Sequence, residues 1–252
     1  MNKLTQVYFS PGGTTHQTIQ LFSSEFELSE SLDLLKNDLR EERTFTPHDL
    51  VVIALPVFAG RIPSVCPEVL QRLKGQNTPA VIMVTYGNRE YEDALLELGD
   101  IMEKNGFIVI SAGAFVARHS IFPQVAHGRP DEDDVQKIKA FALTCKTKIQ
   151  EGNITPVVIK GNRPYRDISS IPLKPSAKSS TCTKCGVCIK ICPVQAIPEN
   201  NPAKTDKKKC ISCAACVYHC PVQSRSFGGF LYKLAGKIFA NKCAARKEPD
   251  IF

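Results

Sequence analysis

Along the first 150 positions, two hydrophobic rhythms alternate. Short, nearly continuous apolar runs read as strands buried on both faces: KLTQVYFS at 3–10, LSESLDLL at 28–35, DLVVIALPV at 49–57, AVIMVTY at 80–86 and FIVISAGAFVA at 107–117. Between them the apolar residues fall at helical spacing. TTHQTIQLFSSEF places Ile19, Phe22 and Phe26 on one face, and SVCPEVLQRL and YEDALLELGDIMEKNG read the same way, the latter stopping at Gly106. DEDDVQKIKAFALTCKTKIQ at 131–150 starts acidic and ends basic, as the helix dipole favours. Residues 36–48 read as a short helix or a loop. Five strands alternating with helices predict an α/β fold: an open, largely parallel sheet with helices on both faces.

Past residue 151 the rhythm changes. Residues 152–181 are rich in Pro, Ser and Gly, hold GNRPYRD, and read as a linker that packs in places. The tail, 223–252, contains SFGGFLYKLAGKIFANK, which sets Phe227, Phe230, Leu231, Leu234, Ile238 and Phe239 along a helical stripe. Docking of that stripe onto the protein's own core or a partner is the preferred reading, and membrane-surface binding the lesser one.

Between linker and tail, CTKCGVCIKICP (182–193) recurs as CISCAACVYHCP (210–221). Cys182, Cys185, Cys188 and Cys192 precede Pro193, and Cys210, Cys213, Cys216 and Cys220 precede Pro221. Three thiolates spaced i, i+3, i+6 reach three corners of one cuboidal cluster, and the fourth, past a short turn, points to the neighbouring cluster. The expected sets are therefore Cys182, Cys185, Cys188 with Cys220, and Cys210, Cys213, Cys216 with Cys192, each holding a [4Fe–4S] centre. Zinc ribbons use cysteines in pairs and would leave one over in each run. Disulfides at such spacing would be strained. Cys66, Cys145 and Cys243 lack the spacing and read as small buried hydrophobes.

Charge sharpens the division. Residues 1–150 carry 15 basic against 19 acidic side chains, and residues 151–252 carry 17 against 6. A basic half alone would suggest nucleic acid, but this one carries the eight thiols, and two loaded clusters reduce its charge, so no nucleic-acid role is expected. The run DKKKC at 206–210 reads as a solvated face and a docking surface for an acidic partner. The polar start and the absence of a long apolar run predict a cytoplasmic chain with reduced thiols, in which eleven cysteines point to metal or redox chemistry.

In an open parallel sheet, ligands bind beyond the carboxyl ends of the strands. Three loops there are unusual: Ser10-Pro11-Gly12-Gly13-Thr14-Thr15, Pro56-Val57-Phe58-Ala59-Gly60-Arg61, and the segment holding Thr85, Tyr86, Gly87, Asn88 and Tyr91. The first opens a helix, so its N–H groups and hydroxyls suit a monophosphate. Phe58 and Tyr86 could sandwich a flat ring, and Gly60 and Gly87 would let main chain approach it. Arg61 faces the ligand in one reading and an exposed ion pair in the other. His16, His119 and His127 read as solvated, with proton donation by the latter pair as the alternative.

These motifs resemble the flavodoxins, whose phosphate loop S/T-x-T-G-x-T stands here as Ser10 to Thr15 with Gly12 in place of a hydroxyl residue. The cysteine segment resembles the bacterial dicluster ferredoxins. The whole chain resembles the flavodoxin–ferredoxin fusion proteins of anaerobic microbes. The resemblance implies a flavodoxin-like doubly wound five-stranded parallel sheet at 1–151, a small α+β ferredoxin-like domain at 182–222, and FMN held by the three loops. It further implies electron transfer between FMN and two [4Fe–4S] clusters with redox partner proteins as donor and acceptor. An FMN-dependent reductase of a small organic acceptor, fed by the clusters, is the alternative. No nucleophile or general-base constellation is evident.

Overall fold

The computed structural model describes residues 3–168 and 171–252; Met1, Asn2 and the linker residues Ser169 and Ser170 lie outside the described residues. In chain order the first half forms β1 (Leu4–Tyr8), α1 (Thr14–Ser23), β2 (Leu28–Asp33), β3 (Arg43–Phe45), β4 (Leu50–Pro56) and α2 (Cys66–Leu70). Then follow β5 (Leu73–Gly75), β6 (Thr78–Tyr86), α3 (Ala94–Lys104), β7 (Phe107–Val116) and α4 (Glu132–Gln150). The remainder adds β8 (Ser176–Ala177), α5 (Val187–Lys190), α6 (Ala215–Tyr218), β9 (Arg225–Ser226), α7 (Phe230–Lys242) and β10 (Asp250–Ile251).

The main sheet runs β10-β7-β6-β4-β1-β2. Its five long strands are parallel, and in chain order they lie 2-1-3-4-5, the doubly wound flavodoxin order. Val7 sits opposite Ile53, and Ile53 opposite Ile82, all fully buried. Full burial of such a side chain is worth roughly 1.5–3 kcal/mol relative to leaving it exposed. Helices cover both faces, which is why the strands read as continuous apolar runs. Ile19 and Phe22 of α1 and Phe141 and Cys145 of α4 pack on one side. Cys66 and Leu70 of α2 and Leu95, Leu98 and Met102 of α3 pack on the other. Asp131 caps α4 reciprocally with Asp134, satisfying the orphan donors of its first turn.

The sheet differs from the expected one by a sixth strand. β10, two residues from the C-terminal tail, pairs antiparallel with β7 and closes that edge. Nothing in two residues of sequence marks a strand, and pairing with a partner over 130 positions away is a tertiary event. Residues 36–48 likewise form turns and then β3, which pairs in parallel with β5 in a separate small sheet.

The second half holds little regular structure. β8 and β9 form a two-stranded antiparallel ribbon, and α5 and α6 are single turns of four residues each. Beyond them, α7 lies against the loop that follows β7, with Phe122, Phe227, Tyr232 and Phe239 interleaved. Cys66, Cys145 and Cys243 are all buried, as their sequence contexts suggested. Desolvation pushes the Cys145 thiol up to about 11.

Candidate functional site: a cavity walled by both halves, beside two cysteine-lined cavities

At the carboxyl edge of the sheet a cavity of about 340 Å³ opens. Thr14 reaches it from the loop after β1, Pro56 to Ala59 from the loop after β4, and Thr85, Tyr86, Gly87 and Arg89 from the end of β6 and its loop. The three loops singled out in the sequence therefore meet at one place, the switch point of the sheet. A fourth loop, Ala117 to Phe122 after β7, also lines it.

The local backbone explains the geometry. Phe58 and Arg61 exchange backbone hydrogen bonds of 2.8 and 3.2 Å across a tight turn. Ala59 and Gly60 at its apex both have positive φ, 52° and 85°, the conformation of a two-residue hairpin turn. At the first loop, Gly13 caps α1 with φ 86° and supplies no side-chain cap. Gly13 donates back to Ser10 (3.4 Å) and His16 donates to the Ser10 hydroxyl (2.9 Å). Among the described residues the N–H groups of Thr14 and Thr15 meet no protein acceptor. An uncapped helix start with free N–H groups and a hydroxyl in the cavity fit a phosphate-bearing ligand; of the three lining arginines, Arg89 and Arg166 pair with Glu92, and Arg118 has no carboxylate partner among the described residues. The cavity volume falls in the range of cofactor sites.

Several predicted residues take other partners. The Thr15 hydroxyl is buried against that of Thr85 at 2.6 Å, so Thr14, not Thr15, faces the cavity. Arg61 does not point to a ligand: it forms a two-pronged pair with Glu97 (2.8 and 2.7 Å) and donates to the Arg166 carbonyl (2.7 Å). The Asn88 amide donates to the carbonyls of Cys243 (2.7 Å) and Ala245 (2.8 Å), and its oxygen accepts from Lys247 N–H (3.2 Å). Tyr91 donates to Asp250 at 2.7 Å. Asn88 and Tyr91 thus latch the C-terminal tail. Phe58 remains partly exposed to the cavity, whereas Tyr86 is only 5% exposed and packs on Tyr91, ring centroids 5.6 Å apart. The open side of Gly60 faces Glu92 and Arg166, and that of Gly87 faces the His119 ring, 2.4 Å from where a Cβ would stand. Both glycines make room for side chains of the protein itself.

His119 is the main departure among the histidines. Far from being solvated, it is wedged between Gly87, Phe122 and Phe239 in the cavity wall. Its Nδ1 accepts the N–H groups of Ile121 and Phe122, each at 3.1 Å, which leaves the proton on Nε2. Desolvation, with the Arg89 charge, lowers its pKa to about 4. His16 also packs, stacked 4.3 Å from Tyr8. A depressed histidine contributes stability that is fully present above the unfolded-state pKa near 6.5 and is lost as pH falls toward 4. A melting-temperature profile should therefore fall below about pH 6.5 in the wild type, and the fall should be shallower in His119→Asn. An identical slope in the variant would mean that His119 is not the group responsible.

The second half completes the cavity. Ile171 and Leu173 from the linker, Ser212 from the second cysteine run and Phe239 from α7 all line it. Tyr218 of α6 donates to the Ser120 carbonyl (3.1 Å), and its ring lies 3.4 Å from where a Cβ on Gly12 would stand. Gly12, which stands where the phosphate-loop pattern has a hydroxyl residue, thus lies in van der Waals range of the Tyr218 ring. The linker is strapped down as well: Asn162 and Arg166 N–H groups donate to Asp93, each at 2.8 Å. The packing of the linker and the docking of the Phe239 stripe onto the protein's own core match the sequence reading, whereas their place in this cavity, that of Ser212 and the Tyr218 contact were not legible there.

The eight cysteines gather around two small cavities in the predicted crossed arrangement. Cys182, Cys185 and Cys188 surround one together with Cys220. Cys210, Cys213 and Cys216 surround the other together with Cys192. Among the described residues no three His, Cys, Asp or Glu groups converge as tightly as a single ion requires. Arg225 supplies a second sign. It is 2% exposed, donates to the carbonyls of Pro202 and Pro175 and to Thr205, and among the described residues pairs with no carboxylate. Its Nε is buried without a partner. Burial pushes the thiols of Cys188 and Cys216 up, and the Arg225 charge and hydrogen bonding pull them back; against desolvation, backbone N–H groups and the Arg225 charge also hold Cys220 low. A buried guanidinium needs an anion, and two thiolate-bound clusters would supply it.

The fold and these cavities define a two-part architecture, a flavodoxin-like α/β domain followed by a small cysteine-rich α+β domain. Residues 174–221 match the family model described as a 4Fe-4S dicluster domain, so the chain is a flavodoxin-like domain joined to a dicluster ferredoxin domain. No curated protein matches the chain. Among solved structures it is similar to rubredoxin oxygen:oxidoreductase from Desulfovibrio gigas, at 14% identity and TM-score 0.43, covering 60% of this chain and only 37% of that one. It is also similar to an apo NADH:FMN oxidoreductase (16% identity, TM-score 0.40, 57% and 90% covered). A third is the Fusobacterium nucleatum flavodoxin bound to flavin mononucleotide (11%, TM-score 0.39, 59% and 99%).

Proposed function

We propose that the protein is an electron-transfer flavoprotein that passes electrons between two [4Fe–4S] clusters and FMN within one chain. The observation that carries this reading is the shared wall: Leu173 and Ser212, beside the second cysteine set, line the same cavity as Thr14, Phe58 and Gly87. Bound FMN would accept one or two electrons where each cluster handles one, which joins single-electron and two-electron partners. The residues supply position. Thr14 and the start of α1 would hold the phosphate, Phe58 would flank the ring, and His119 would offer its Nε2–H to the cavity. Cys210, Cys213, Cys216 and Cys192 form the flavin-facing set. Cys182, Cys185, Cys188 and Cys220 form the outer set, where Cys185 is exposed.

Anaerobically prepared protein should contain eight irons, eight sulfides and one FMN per chain. Zinc alone, or four irons with all cysteines intact, would sink the assignment. Thr14→Val removes a hydroxyl without changing shape. The loss of one hydrogen bond to a charged acceptor should weaken FMN by ~10- to 150-fold in an equilibrium titration. Unchanged affinity would put the phosphate elsewhere.

The alternative, a reductase of a small acceptor, has one observation in its favour. A second groove of about 410 Å³ shares Phe58 and Ala59 with the first cavity and is rimmed by Lys174 and Lys207 to Lys209. Steady turnover of a small anionic acceptor, abolished when FMN is removed, would support that reading.

A further inference from the structure

The sequence stripe on α7 divides into two faces. Phe239 packs inward with Tyr232, Ala235 and Ala240, beside Phe227 from just ahead of the helix. Tyr232 donates to the Ile121 carbonyl (2.9 Å), and Gly236 lies against Phe122, so this inner face is firmly seated on the cavity wall. The rest of the stripe is uncovered: Phe230 is 77% exposed, Leu231 73%, Leu234 47% and Ile238 49%. At 100° per residue these four span one contiguous third of the helix surface.

The charges around that face all have one sign. Lys233 and Lys237 border it on one side and Lys242 on the other, all exposed. None of the three pairs with a carboxylate among the described residues. From Lys207 to Lys247 the sequence has no acidic side chain at all. An apolar face that excludes acids and is edged by lysines, whose stems can lie along lipid while their heads reach phosphate, matches an anionic bilayer surface. The helix has 13 residues, and no described helix is long and apolar enough to cross a membrane, so it would lie in the interface plane.

We propose that α7 docks the protein on an anionic lipid surface through Phe230, Leu231, Leu234 and Ile238, with Lys233, Lys237 and Lys242 on the headgroups. This goes beyond the redox reading and does not depend on it. The helix would then stand between the flavin cavity, which Phe239 lines, and the lipid.

The test is flotation of the full, cofactor-loaded chain with vesicles of phosphatidylcholine alone or mixed with phosphatidylglycerol. The mixed vesicles should carry the protein at low salt and the neutral ones should not. Lysine contacts with an anionic surface are worth about fivefold each, so Lys233→Gln/Lys237→Gln/Lys242→Gln should weaken binding by roughly 100-fold. Leu231→Ser/Leu234→Ser, two exposed positions, should reduce it at least about tenfold. FMN content and melting temperature should stay unchanged in both variants, which separates lost docking from lost folding. Failure of the wild type to float with mixed vesicles at low salt would overturn the proposal. So would a dimer in light scattering that Leu231→Ser/Leu234→Ser dissolves, because a second copy would then cover the face.

Discussion

Replacing Arg225 by methionine is expected to lower the reduction potentials of both clusters together. The guanidinium is buried, has no carboxylate partner among the described residues, and acts on Cys188 of one set and Cys216 of the other. Adding an electron makes a thiolate-bound cluster more negative, so a nearby fixed cation favours the reduced form and its loss disfavours it. At an effective dielectric near 20, a unit charge roughly 7 Å away is worth about 2 kcal/mol, or ~100 mV for one electron. Arg225→Lys keeps the charge but not the fork, and should recover much of the shift. Redox titration followed by electron paramagnetic resonance reads both potentials. Clusters lost from the variant while the remaining ones keep wild-type potentials would reduce Arg225 to a purely structural role.

Stripping the iron is expected to unfold the second half and to loosen the flavin cavity with it. Residues 174–221 have almost no apolar core to fall back on. Their own buried cluster is Cys188, Ile197 and Cys216, two of which are proposed cluster ligands. Their helices are four residues long, and their one strand, β8, has two residues. A segment of this size folds only if something else crosslinks it, and metal binding is then folding free energy. Arg225 would also be left buried beside neutral thiols, an added cost of ion burial. Leu173 and Ser212 would leave the cavity wall, and FMN should bind at least about tenfold more weakly, by the linkage of ligand binding to a folded wall. Hydrogen exchange should show amides of 174–221 losing protection while β4, β6 and β7 keep theirs. Retained protection across 174–221 in iron-free chain would contradict this.

What could be read in advance follows physical range. The five parallel strands were legible because burial on both faces makes each a local apolar run, as in β6, whose nine residues are all buried. The cysteine sets were legible because their spacing carries the ligand geometry within each run. Side-chain roles in the flavin loops were not, because their partners are distant. Arg61 answers to Glu97, and Asn88 and Tyr91 answer to a tail more than 150 residues on. His119 looked solvated because nothing local announces that Phe239 will cover it. On α7 the periodicity found the helix but merged two faces, since aromatic and aliphatic residues occupy both. Gly12 was visible as a departure from the phosphate-loop pattern, but its neighbour, the Tyr218 ring, is brought there only once the halves are packed.

The central claim is that electrons cross between the halves of a single chain, through the wall that Ser212 and Leu173 share with the flavin loops. The direct measurement is rapid reduction of the clusters in loaded protein, with FMN reduction followed at 450 nm across a wide range of protein concentration. Partners fixed in one molecule need no encounter, so the observed rate should not change with concentration. A rate that rises in proportion to protein concentration would place the transfer between molecules and leave flavin and clusters as independent carriers.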